Sequence, residues 1–147
     1  MRARPPINST VFLDASYVIA LTNHKDKHHK EAMAVAAALR ASNARLVTTY
    51  GVLLEIGNGL TKASHRPAAV SILSLIMSDS AIAIVPITDS LTERAFKLFS
   101  NRTDKEWGMT DCCSFIVMED KGIRQSLTAD EHFVQAGFEA LLLTSGK

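Results

Sequence analysis

Short apolar runs that stop at polar or acidic residues alternate along this chain with longer segments whose apolar positions recur three and four residues apart. Val11–Leu13 is too short for a helix and predicts a buried strand that ends at Asp14. From Asp26 the segment DKHHKEAMAVAAALRAS is rich in helix formers. It predicts a helix to about Arg40 with Asp26 as its cap, although Met33, Ala36, Ala37 and Arg40 define no single narrow face. Arg45–Thr48 reads as a second strand, and Thr49 starts a helix with Val52, Leu53, Ile56 and Leu60 at helical spacing and Glu55 beside that stripe. Pro67 suits the first turn of a helix running to about Met77, where Ser78–Ser80 break the pattern. Ala81–Ile87 is a strand, and Thr88 or Asp89 caps a helix whose Leu91, Ala95, Leu98 and Phe99 are expected to face inward. After a polar loop over 101–109, Thr110 is the expected cap of a helix opened by Asp111 and stopped by Gly122. Ser126–Ala129 and Leu141–Thr144 are the expected last two strands.

Strands alternating with helices imply βα units and a parallel sheet covered on both faces, hence a three-layer α/β/α sandwich with a central, mainly parallel sheet. In such sheets ligands bind beyond the carboxyl ends of the strands. Asp14, in VFLDAS, and Asp130, in LTADEHF, are where that rule places a site. Glu55 and Asp111 each fall near the start of a helix, so four acids distant in sequence occupy positions that such a fold can bring together. Carboxylates gathered out of water repel one another and need a cation to stay ionised together, which points to a metal site.

Composition narrows the classes. A length of 147 residues fits one domain, with residues 1–10 as a flexible lead and 11–147 as the domain. The 47% apolar and 21% charged residues describe an ordinary globular chain, and the net charge of +1 excludes a nucleic-acid binder that works by bulk charge alone. Met1–Thr10 lacks the apolar stretch of a secretory signal. Ser74, Ser78, Asp79 and Ser80 interrupt the most apolar later stretch, so the expectation is a cytoplasmic protein with no membrane partner. Cys112 and Cys113 are adjacent, a poor spacing for a disulfide or for shared zinc, and read as helix-packing residues. His24 and His28, four apart, read as the exposed polar start of a helix, and Trp107 as packing its loop rather than stacking on a base. Lys62, His65, Arg66, Arg102 and Lys105 are candidates for guiding a polyanion, with surface solubility as the default reading.

The segments DAS at Asp14, YGVLLEIGNGL around Glu55, NRTDKEWGMTDCCSFIVMEDKGI around Asp111 and LTADEHFVQAGFEALL around Asp130 resemble the PIN-domain ribonucleases over nearly the whole chain. The branch they look most like is the VapC-type toxins of toxin–antitoxin pairs. This resemblance implies an acidic pocket that holds Mg²⁺ or Mn²⁺ for RNA cleavage, with Asp14, Glu55, Asp111 and Asp130 as the catalytic and metal-binding quartet. It places Asp104 at the rim of the site and gives Ser16 and Thr110 supporting roles. Asp14 and Asp111 are the first choice for direct ligands, with Glu55 or Asp130 holding waters or a second ion. The resemblance further implies an RNA substrate, a small antitoxin partner and a homodimer. The alternatives are a stand-alone RNA-processing nuclease and a PIN-like module that binds RNA or protein without cutting. No base-reading motif in the chain selects among RNA targets.

Overall fold

The apolar runs pair as strands in one sheet. A computed structural model of the chain describes residues 4–143. Its strands are β1 (Thr10–Leu13), β2 (Arg45–Thr49), β3 (Ile82–Val85), β4 (Gln125–Leu127) and β5 (Glu139–Ala140), in the order β3-β2-β1-β4-β5. Every neighbouring pair is parallel, with Phe12 opposite Val47 on one side and Ser126 on the other. The helices are α1 (Ala15–Thr22), α2 (His29–Ala41), α3 (Tyr50–Gly59), α4 (Arg66–Ser78), α5 (Asp89–Asn101), α6 (Met109–Lys121) and α7 (Glu131–Gln135). They flank the sheet as the expected α/β/α sandwich, α1 packing on α2 and α3, and α5 on α6.

β1 lies at the centre of the sheet, and its Val11 and Phe12 are wholly buried. The chain turns from β1 to β2 on one side and reaches β4 on the other, so the strand order reverses between β1 and β4. A crevice opens at such a reversal because the connections leave in opposite directions. Local chemistry sets the element boundaries. The hydroxyls of Thr49 and Thr88 accept the N–H groups of Val52 and Leu91 and so cap α3 and α5. Gly122, at φ 66°, ends α6 in the left-handed conformation that glycine adopts without steric cost.

Several boundaries differ from those read in the sequence. Residues 15–22 form α1, which was not expected; SYVIALT is apolar around most of its circumference, with Tyr17, Val18 and Ala20 all buried, so it carries no amphipathic period. The helix expected from Asp26 begins at His29, because the Asp26 side chain accepts the His28 N–H at 2.8 Å in a local turn. His24 and His28 are therefore not on a helix. Phe99 is 44% exposed; it lies one position beyond the Leu91–Ala95–Leu98 stripe and is rotated about 100° from it. Thr110 is not the cap of α6. Gly108 holds that place, and Asp111 sits in the first turn. The last strand is Glu139–Ala140 rather than Leu141–Thr144. Leu141 and Leu142 are buried in a turn that still donates to Ser126 and Thr128 carbonyls, and Thr144 lies outside the described residues. The described part of the lead, residues 4–10, is tied to the body. Gln125 bonds Pro6 O and the Asn8 N–H, Arg4 pairs with Glu31, and Thr10 already belongs to β1.

Trp107, expected to pack its loop, is buried; its Nε1 donates to Gln135 Oε1 at 3.1 Å and its ring meets Phe115 edge-on at 5.0 Å. Phe115 meets Phe133 of α7 in the same way, and Phe133 reaches Phe12 of β1. This aromatic chain fixes α7 on the sheet. Phe133→Ala is expected to cost about 3–5 kcal/mol, checked by the midpoint and slope of urea unfolding. An unchanged midpoint would show that α7 is not anchored through this ring.

Candidate active site

Four carboxylates converge at the strand-order reversal. Asp14 follows β1, Glu55 rides on α3, Asp111 lies in the first turn of α6, and Asp130 follows β4. All four line one open cleft of about 470 Å³, with Ser16, Ile19, Asn58 and Gly59. Its floor is close-set because α3 approaches α1 at a residue without a side chain. A Cβ on Gly59 would stand 2.5 Å from Ile19 Cδ1.

Asp14 is 4% exposed and caps α1. Its Oδ2 accepts the Ser16 hydroxyl at 2.8 Å and the Thr128 hydroxyl at 2.7 Å. The two hydroxyls also stand 2.9 Å from each other, so their two protons are shared within a triangle with this oxygen. Their lone pairs are used as well: Ser16 Oγ accepts the Ala129 N–H at 3.0 Å, and Thr128 Oγ1 accepts the Asp130 N–H at 3.0 Å. The start of α1 is thereby fastened to the end of β4. Burial pushes the Asp14 carboxyl above its ordinary range, the two hydroxyls pull it back, and nearby Asp111 raises it further.

Asp111 accepts the Gly108 N–H at 3.1 Å on Oδ2. Nδ1 of His132 stands 3.2 Å from Asp111 Oδ2 and 3.2 Å from Asp130 Oδ1. Burial raises the Asp111 carboxyl, the Gly108 N–H opposes it, Asp130 adds repulsion and His132 relieves it. Glu55 is pushed up to about 7, first by burial and then by the charges of Asp14, Asp111 and Asp130. Without a cation the cleft thus holds more negative charge than its surroundings solvate.

Asp111, Asp130 and His132 bring ligand atoms within 4.8 Å of one another, close enough for one ion to span. The set is dominated by hard carboxylate oxygens on protein elements of fixed orientation, which fits a divalent cation.

Of the residues read from the sequence, Asp14, Glu55, Asp111, Asp130 and Ser16 meet in the cleft. Asp104 is not brought in; it is exposed and held bidentately by Arg102 at 2.9 and 3.0 Å, which keeps its carboxyl below the usual range. Thr110 supports no carboxylate through its hydroxyl; its carbonyl accepts Ser114 Oγ. The hydroxyl partner of Asp14 is instead Thr128, two residues before Asp130. His132, two residues after it, and Asn58 also went unread. The signal for Thr128 and His132 was their spacing about Asp130 at a strand end, where side chains two apart cluster around one turn. Cys112 and Cys113 are buried and free, and burial pushes the Cys112 thiol up to about 11, so neither supplies a thiolate.

The sheet with its reversal between β1 and β4, and the acids gathered there, define the PIN class of α/β domains. The PIN domain family model matches residues 11–139, and the chain belongs to that family. It is 31% identical over 129 residues to the 23S rRNA-specific endonuclease VapC20 of two Mycobacterium tuberculosis strains, across 87% of this chain and 95% of the relative. The crystal structure of M. tuberculosis VapC20, described as a sarcin-ricin loop cleaving toxin, superposes with a TM-score of 0.78 at 28% identity. That alignment also covers 87% of this chain and 95% of the other.

Two outcomes are expected from this geometry. Thr128→Val removes one proton donor from Asp14 and the acceptor of the Asp130 N–H, and should weaken divalent-cation binding about 10–100-fold with the fold retained, read by calorimetric titration. For Glu55, the folded protein binds the proton more tightly than the unfolded chain, whose ordinary value is 4.5. Its contribution to stability is therefore full below about pH 4.5 and lost as pH rises through about 7. The melting temperature of metal-free protein should fall by a few degrees between about pH 5 and 8, and Glu55→Gln should flatten the decline; equal slopes would rule out the Glu55 contribution.

Proposed function

We propose that this chain is a divalent-metal-dependent endoribonuclease acting in the cytoplasm as the toxin of a toxin–antitoxin pair. The observation that carries the reading is the meeting of Asp14, Glu55, Asp111 and Asp130 in one cleft at the reversal of the strand order. VapC20, similar over almost its whole length, is named as an endonuclease of 23S rRNA, and large-subunit ribosomal RNA is the substrate class we assign first to this chain.

Asp14 and Asp111 would hold the cation, with Asp130 and Glu55 completing its surroundings; Mg²⁺ or Mn²⁺ fits this oxygen-rich set. When bound, such an ion neutralises the scissile phosphate and makes water a stronger nucleophile. Ser16 and Thr128 keep Asp14 oriented and ionised by donating to its Oδ2. His132 holds Asp111 and Asp130 at a common spacing through Nδ1. Glu55, whose carboxyl burial and the neighbouring acids push up to about 7 in the metal-free cleft, would hold a proton at the cleft wall until a cation is bound. Attack by water leaves a 5′-phosphate and a 3′-hydroxyl and needs no 2′-hydroxyl.

A small antitoxin has a surface ready beside the cleft. Leu54, Val70, Leu75 and Met77 on α3 and α4 are more than half exposed, and Val70 lines a groove with Thr61, Ala63, Arg66 and Pro67. An amphipathic segment fits such a groove, and a homodimer would draw on the same helices. Among the described residues no helix is long and apolar enough to cross a membrane.

Cleavage of purified ribosomal RNA with Mg²⁺ or Mn²⁺ tests the reading. We expect EDTA to stop it, and Asp14→Asn and Asp111→Asn to lower it by more than about 100-fold, beyond the loss typical of residues that only orient a ligand. Products ending in 2′,3′-cyclic phosphate would overturn the hydrolytic mechanism.

A further inference from the structure

Two further hollows near the acidic cleft carry lysines. Three residues beyond Ile19, about 4.5 Å along α1, Thr22 lines a hollow with His24, Lys25, Lys62 and His65. Past Ser16 and Asp130, which it shares with the cleft, a second hollow is lined by Lys27, His28 and His132, with Glu131 as a further acid on its wall. Both draw a lysine from one segment, the α1–α2 loop over Asn23–His28: Lys25 serves the first and Lys27 the second.

This loop is held in shape by its own hydrogen bonds. Asn23 accepts the Lys25 N–H on Oδ1 at 3.1 Å and the Asp26 N–H on its carbonyl at 3.0 Å. Asp26 accepts the His28 N–H on Oδ1 at 2.8 Å and the His29 N–H on its carbonyl at 3.0 Å. The His29 ring is 2.8 Å from Ala20 O through Nδ1 and packs on the His24 ring at 5.0 Å. The only acid of the loop thus uses a carboxylate oxygen on the backbone. Among the described residues, Lys25, Lys27 and Lys62 form no ion pair, and all three are exposed.

We propose that the Asn23–His28 loop, with Lys62, is a clamp for the phosphate backbone of RNA on both sides of the bond to be cut. The inference rests on the ribonuclease reading of the cleft and goes beyond it by naming what holds the flanking strand. An acidic cleft repels a polyanion, so a chain of net charge +1 needs local cations to seat one there. The eight residues of α1 span about 12 Å, so the hollow at Lys25 and Lys62 is too far from Asp14 to take the scissile phosphate and takes a neighbour. A preformed loop grips without first losing conformational entropy.

The test is fluorescence anisotropy of a labelled single-stranded RNA spanning the cleavage site, in EDTA so that nothing is cut, with cleavage scored separately in Mg²⁺. The variants are Lys25→Ala with Lys62→Ala, Lys27→Ala alone, and Lys97→Ala with Lys121→Ala as an exposed control pair on α5 and α6. We expect several-fold weaker binding for the first two and none for the control, the salt slope of log K falling by about 0.7 for each lysine removed. In cleavage, KM should rise with kcat unchanged. Shortening the RNA on one side of the cut should erase the penalty of the Lys25/Lys62 pair and keep that of Lys27; shortening the other side should do the reverse. Variants that match the control, or penalties that answer to the same flank, overturn the clamp. Cleavage that proceeds without any loop effect overturns the clamp alone, whereas RNA gripped by the loop but never cut keeps the clamp and overturns the ribonuclease reading. A wild type that binds no RNA overturns both.

Discussion

Asp14 is a charge-bearing group placed where water cannot solvate it, at the end of the central strand, and much of the surrounding architecture answers that constraint. Moving a carboxylate out of water costs several kcal/mol unless hydrogen bonds replace those it loses. Here the replacements are two hydroxyls from different elements, Ser16 of α1 and Thr128 after β4, each oriented by a backbone N–H that it accepts. The same network therefore solvates the acid and clips β4 to β1 at the crevice. The group most costly to bury also fixes the position of Asp130, whose N–H is held by Thr128.

This solution remains incomplete by design of the cleft. Hydroxyls orient one oxygen of Asp14, but they do nothing for the repulsion among Asp14, Glu55, Asp111 and Asp130, which adds to burial in raising the carboxyl of Glu55. A cation removes that repulsion for all four at once, so metal affinity and pH sensitivity are two readings of one stored electrostatic cost. His132, bridging Asp111 and Asp130, offsets a share of it within the protein.

The sheet, its parallel sense and the main acids were legible in the sequence because each rests on a local signal. Val11–Leu13 and Arg45–Thr48 are runs too short for helices, and an acid that follows such a run lands at the carboxyl end of a strand. Where the signal was global, the reading failed. Leu141–Leu143 are apolar because they are covered, not because they pair in a regular strand. Residues 15–22 hid a helix because burial on several sides erases amphipathic periodicity. Thr110 and Thr128 are both threonines beside a site acid, and only the parallel pairing of β1 with β4 decides which of them reaches Asp14.

The helix α3 shows how tightly the two surfaces of this small domain are coupled. Successive side chains on a helix point about 100° apart, so Leu54 faces solvent at 70% exposure while Glu55, the next residue, faces the cleft. A protein partner that covers Leu54 and Val70 therefore comes to rest one residue from the acids. On the proposed reading, an antitoxin seated there would exclude substrate by occupancy and by charge, with no long-range conformational change. The α1–α2 loop carries Lys25 and Lys27 to two other hollows, the second of which shares Ser16 and Asp130 with the cleft. The surface proposed to seat a polyanion and the one proposed to seat an apolar partner adjoin between α3 and α4, where Lys62 and His65 line the first and Thr61, Ala63 and Arg66 the second.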